Sequence, residues 1–186
     1  MEDGSWRTLG REYVYRSPWC AFRVDAVELP GGRAIEYGVL ESGGFAAVVA
    51  VTEANDVVLV RQWRQPLGHF TLELPSGGVD GGEDAGEAAR RELLEETGYR
   101  AEGLERLTSV HMSTGRSTEV GHVFRCLAVK DGRGPDPEPT EFIQVVEVPL
   151  GETLAMVRDG RISDAATVLG LLWESGRGAG DVPPVD

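Results

Sequence analysis

The segment "GGVDGGEDAGEAARRELLEETGY", Gly77 to Tyr99, decides the fold, because it carries both ends of a helix and an unusual load of acid. Asp84 is a good N-cap with Glu87 three residues on, Ala85 to Glu96 are strong helix formers, and Gly98 suits the left-handed position that closes a helix. Glu92, Glu95 and Glu96 then fall in the last turns, where the macrodipole disfavours negative charge, and Glu92 with Glu96 is a like-charged i,i+4 pair. Local energetics oppose this by about several tenths of a kcal/mol. One reading is a solvated acidic surface. The other is that the i, i+3, i+4 spacing brings three carboxylates to one helix face, as oxygen donors hold a hard cation such as Mg²⁺ or Mn²⁺.

Upstream of this segment, Trp6 to Leu40 holds alternating stretches ("EYVYRS", "CAFRVDAVEL", "RAIEYGVLE") broken by "SPW" and "LPGG", which predict a small antiparallel sheet. "FAAVVAV" (Phe45 to Val51) is a buried strand, "EAND" a turn, "VVLVRQW" its hairpin partner and "FTLELP" a further strand leading into the helix segment. Downstream, "LERLTSVHM", "VGHVFRCLAV" and "FIQVVEVPL" read as strands, with "STGRSTE" and the proline-rich "DGRGPDPEPTE" as loops. Two helices close the chain: "GETLAMVRDG", and "SDAATVLGLLWESG", capped by Ser163 or Asp164, with Ala166, Leu169, Leu172 and Trp173 as its apolar stripe. Regular βα alternation is absent, so the fold class is a layered α/β or α+β sandwich with a mixed sheet and a small N-terminal antiparallel sheet, rather than a doubly wound parallel sheet.

With 186 residues, 41% apolar and 26% charged, the chain suits one globular domain with a small N-terminal addition. Its formal net charge of −13 argues against nucleic acid or an anionic membrane surface as partner. A small anionic substrate is compatible if a cation screens it. Cys20 and Cys126 lack zinc or disulfide-framework spacing and read as reduced thiols, and no apolar run approaches the roughly 18 residues of a membrane span; the expected location is the cytoplasm.

Counted from Gly77, the chain has Glu83, Arg91, Glu92, Leu93, Glu95, Glu96, Gly98 and Tyr99 at the positions of the Nudix box, GX5EX7REUXEEXGU with U apolar, and it resembles that family at every specified position. The resemblance implies Mg²⁺- or Mn²⁺-dependent hydrolysis of a nucleoside diphosphate linked to another moiety. Glu92, Glu95 and Glu96 would be metal ligands together with the carbonyl of Ser76, just before the box. Arg91 would pair with an acid such as Glu83 and fix the loop against the helix. A diphosphate repels bare carboxylates, so divalent ions must bridge protein and substrate.

Beyond the box, "RQWRQPLGHFTLELPSGG" and "EFIQVVEVPL" are similar to the ADP-ribose pyrophosphatase-like branch. The branch implies a phosphate contact from Arg64, a catalytic base from Glu141 in the loop before the last strand, with Glu138 beside it and Glu95 as fallback, and a homodimer in which N-terminal segments complete the neighbouring site. Trp19 is the candidate for stacking on the base, against packing on the small sheet, and Arg116, with Ser113 and Glu119, is a candidate lining of the sugar pocket, against forming a turn. Thr114 stands where the branch usually has proline, which leaves GDP- or UDP-linked sugars open. Nucleoside triphosphates, dinucleoside polyphosphates, or nucleotide sensing without turnover are the other readings. The implied organisation is residues 1–42 as an N-terminal β subdomain that could dimerise, 43–176 as the hydrolase domain, and 177–186 as a disordered tail.

Overall fold

A computed structural model describes residues 4–136 and 142–177. Glu138, Glu141 and residues 178–186 lie outside the described residues, and so do the expectations placed on them. Contacts divide the chain into two units, residues 1–44 with 111–120, and residues 45–110 with 121–186.

The first unit is a three-stranded antiparallel sheet of β1 (Arg7–Arg16), β2 (Cys20–Glu28) and β3 (Ala34–Ser42), in the order β1-β2-β3. Beside Val27, its buried side chains among the described residues are the charged pair Arg23 and Asp25. Arg23, buried, donates to Asp25 from Nε at 2.8 Å and also to Glu41, whose other oxygen accepts from Tyr13 Oη at 2.7 Å. All ten residues of β1 are exposed.

The second unit holds β4 (Phe45–Val51), β5 (Asp56–Arg64), β6 (His69–Glu73), β7 (Ser76–Gly78), α1 (Ala85–Thr97), β8 (Tyr99–His111), β9 (Val120–Lys130), β10 (Gln144–Pro149), α2 (Leu150–Arg158) and α3 (Ala165–Gly176). Its sheet runs β10-β5-β4-β9-β8, with β6 on β5 and β7 on β4. The β4–β9 pairing is parallel, whereas β5 pairs antiparallel with β4, β6 and β10, so the sheet is mixed as expected.

Alternation along β4 explains the layering. Val48 and Ala50 pack with Ala85, Ala88, Ala89 and Leu93 of α1 on one face, together with Phe124 and Cys126 of β9. Val49 points the other way, and with Val123 it meets Gly170 of α3, giving the α/β/α sandwich. The expected apolar stripe of α3 is corrected here. Its buried residues are Ala166, Thr167, Gly170 and Leu171, while Leu172 and Trp173 are exposed. Ala166 is buried as expected, but the close approach at Gly170 turns the helix so that Thr167 and Leu171, rather than Leu172 and Trp173, complete the buried face.

Candidate active site on the Gly77–Tyr99 segment

Asp84 caps α1, accepting from Gly86 N–H at 2.8 Å, and Gly98 closes it at φ 72° with its N–H on Leu94 O. A β-carbon at Gly98 would also stand 2.7 Å from the Gly134 backbone, so both dihedral and space demand glycine. With its ends fixed, α1 presents Glu92 and Glu96 on its buried face, 8% and 1% exposed.

Each buried acid has a seat. Ser76 N–H donates to Glu96 Oε2 at 2.8 Å, tying the helix to β7. The Glu92 carboxylate rests over Gly77, where a β-carbon would be 2.1 Å from Glu92 Cδ. Gly77 therefore makes room for the acid.

Arg91 is the hub. It donates from Nε to Glu83 Oε1 at 3.1 Å and from Nη2 to Glu83 Oε2 and Gly78 O, both at 3.0 Å, which fixes the loop to the helix as expected. It also meets the acids of the helix. Its Nη1 reaches Glu92 Oε1 at 2.5 Å and Glu95 Oε2 at 3.3 Å. The hydrogen bonds to Glu83 first, with those to Glu92, hold the Arg91 guanidinium well above its ordinary pKa against partial burial. Arg91 in turn holds the Glu83 carboxyl low, helped by the Asp80 N–H.

Glu92 and Glu96 lie on the buried face of α1, whereas the Glu95 side chain is 45% exposed and pairs with Arg91 Nη1 at 3.3 Å. The donor set still fits a hard divalent cation: the candidates are all oxygens, and two buried carboxylates abut consecutive residues, Glu96 at Ser76 and Glu92 at Gly77.

Arg64 joins this end of the unit. Its Nε donates to Glu73 Oε1 at 2.9 Å and its Nη2 to Glu73 Oε2, and the charges of Asp164 and Glu96 also act on it. Asp164 caps α3, accepting from Thr167 N–H and hydroxyl at 2.8 and 2.7 Å, and Thr167 Oγ1 accepts from Leu74 N–H at 2.9 Å. Leu74 to Ser76 is thus clamped from both helices. Glu73 and Thr167 received no role from sequence; the available signal was a carboxylate inside an otherwise strand-like "FTLEL".

Trp19 and Arg116 belong to the first unit. Trp19 is 82% exposed, so it is not packed on the small sheet. Arg116 is exposed and sits in a turn, its N–H on Ser113 O at 2.9 Å and its carbonyl accepting from Leu40 N–H at 2.8 Å.

Comparison with known proteins decides the family. A model of the NUDIX domain matches residues 44–167. The chain belongs to the NUDIX family. A model of the Nucleoside diphosphate sugar hydrolase N-terminal domain matches residues 6–40. This NUDIX hydrolase is 33% identical over 170 residues to the "ADP-ribose pyrophosphatase" of Bacillus subtilis (strain 168), covering 90% of this chain and 91% of the relative. It is 34% identical over 168 residues to the "Methanol dehydrogenase activator" of Bacillus methanolicus, with 90% and 91% covered. The crystal structure of an "ADP compounds hydrolase" superposes with a TM-score of 0.78 at 23% identity, over 95% of this chain and 97% of that one, showing the shared fold.

Proposed function

We propose that this NUDIX hydrolase cleaves the diphosphate bond of ADP-ribose or another nucleoside diphosphate sugar, releasing a nucleoside monophosphate and a sugar phosphate, with Mg²⁺ or Mn²⁺. The observation that carries the reading is the pairing of two buried carboxylates, Glu92 and Glu96, with Ser76 and Gly77 of β7, three residues beyond the Glu73 that holds Arg64. Buried acids placed at the disfavoured end of a helix make sense where a cation joins them.

Glu92, Glu96 and the Ser76 carbonyl would hold the cation, with Glu95 joining once it leaves Arg91. A bound divalent ion neutralises phosphate charge and lowers the pKa of an attacking water. Arg64 binds a phosphate oxygen, and Glu141, or Glu95 in its place, takes the proton of the water. Trp19 stacks on the base and Arg116 borders the sugar. The exposed β1, with Leu9, Val14 and Tyr15 uncovered, supports a homodimer through the N-terminal sheet. A cytoplasmic location agrees with the two free cysteines, and among the described residues no helix is long and apolar enough to cross a membrane.

Incubating the protein with ADP-ribose and a panel of nucleotide sugars, with and without Mg²⁺, tests the reading. Metal-dependent release of a nucleoside monophosphate is expected; no cleavage of any member would refute it.

A further inference from the structure

We propose that Glu73 is a positioning residue, one that fixes the Arg64 guanidinium in the orientation in which it meets the substrate's diphosphate. This rests on the reading of Arg64 as a phosphate contact given above.

The β5–β6 register pairs Gln62 with Thr71, Arg64 with His69 and Val60 with Glu73, so Gln62, Arg64, Thr71 and Glu73 share one face of the hairpin. Glu73 is 5% exposed, and an uncompensated carboxylate there would be costly. It is fully served. Arg64 Nε and Nη2 grip it as a fork, Thr71 Oγ1 donates to Oε1 at 2.6 Å and Gln62 Nε2 to Oε2 at 3.5 Å. Burial would raise the Glu73 carboxyl, but the bonds from Arg64 and Thr71 and the Arg64 charge hold it below the usual carboxylate range, so it stays an anion.

Such a pair is weak evidence for stability, since apolar residues of equal volume serve a core as well. Its geometry has another use. Glu73 is held from the protein interior by two side chains, Thr71 and Gln62, while the Arg64 side chain that it grips is 41% exposed. The fork takes the Nε and inner Nη2 protons and sets the guanidinium plane, leaving the Nη1 protons as donors for a second, anionic partner. Glu73 ends β6 three residues before Ser76 of β7, so the fork holds the guanidinium on the strand that leads into the box. A guanidinium held this way binds phosphate without first losing its side-chain freedom.

The test uses Glu73→Gln, Glu73→Asp, Arg64→Ala and the Glu73→Gln/Arg64→Ala double variant, with the best-cleaved nucleotide sugar of the panel. Glu73→Gln should raise KM about tenfold with kcat within about threefold, and Mn²⁺ affinity by calorimetry should stay within about twofold. Added to Arg64→Ala it should cost less than about a further twofold, since both act through one contact. Glu73→Asp, which keeps the charge, should recover much of the KM. The inference is overturned if Arg64→Ala raises KM and Glu73→Gln does not, if the two effects multiply, if Asp gives no recovery, or if the loss falls on Mn²⁺ binding. An unchanged KM in Arg64→Ala removes the phosphate reading itself, and positioning with it.

Discussion

The carboxylate of Glu92 occupies the space that any side chain at Gly77 would need, the two positions being 2.1 Å apart from a would-be Cβ to Glu92 Cδ. That carboxylate is the far end of a flexible side chain, held by Arg91 Nη1 at 2.5 Å, so Gly77→Ala can be accommodated by swinging it aside. The fold should survive with a loss within about 1 kcal/mol. Mn²⁺ affinity, in contrast, should fall about tenfold or more, and turnover with it. Calorimetric Mn²⁺ titration beside a thermal melt checks this; an unaltered affinity would take Glu92 out of the metal site.

Arg91 bridges Glu83, Glu92 and Glu95, so it offsets the repulsion that the helix end would otherwise carry. Arg91→Ala should therefore lower the melting temperature measured in chelator. Saturating Mg²⁺ should then raise it by more than it raises the wild type, because the cation replaces the missing positive charge. Equal Mg²⁺ shifts in the two proteins would show that Arg91 does no electrostatic work at these acids.

Much of this was legible because the relevant signals are local. Asp84 and Gly98 announce the helix ends within a single segment, and the unbroken apolar run from Phe45 to Val51 marks a buried strand. What escaped depends on packing at a distance. β7 is only Ser76–Gly78, a strand made by pairing with Phe45–Ala47 rather than by propensity. Thr167 faces inward because Leu74 N–H needs an acceptor, which hydropathy cannot register. The Arg91–Glu95 contact is an ordinary i,i+4 pair that helical spacing already offers, whereas Arg91 reaches the adjacent Glu92 because a long side chain can bend where spacing fixes only the Cα–Cβ direction.

Cys126 is wholly buried against α1, and burial pushes its thiol up to about 12, with the charges of Arg125 and Arg90 pulling slightly the other way. Ellman's reagent at pH 8 should leave it untouched in the native protein and modify it in denaturant. The sign of the linkage follows from the raised value. The folded state keeps the proton that the unfolded chain gives up near pH 8.5, so this contribution is complete below that pH and fades as pH climbs toward 12. Cys126→Ala should flatten the alkaline fall in urea midpoint; an identical slope would assign the fall to other groups.

Gly170 and Gly176 offer a matched pair in α3. A β-carbon at Gly170 would stand 2.8 Å from Val49 Cγ2, 2.9 Å from Leu74 Cδ1 and 3.2 Å from Val123 Cγ1, whereas Gly176 has open space. The helix cannot slide away freely, since Thr167 is tied to Leu74 N–H at 2.9 Å and capped by Asp164. Gly170→Ala should thus destabilise by about 1–3 kcal/mol through overpacking. Gly176→Ala should be neutral or stabilise by up to about 1 kcal/mol, helix propensity being its only change. Because Leu74 lies two residues before Ser76, strain at Gly170 should also reach the box and lower kcat/KM, while Gly176→Ala leaves it alone. Urea unfolding and steady-state kinetics on both variants check the argument, and equal behaviour of the two would mean that α3 does not press on the sheet at Gly170.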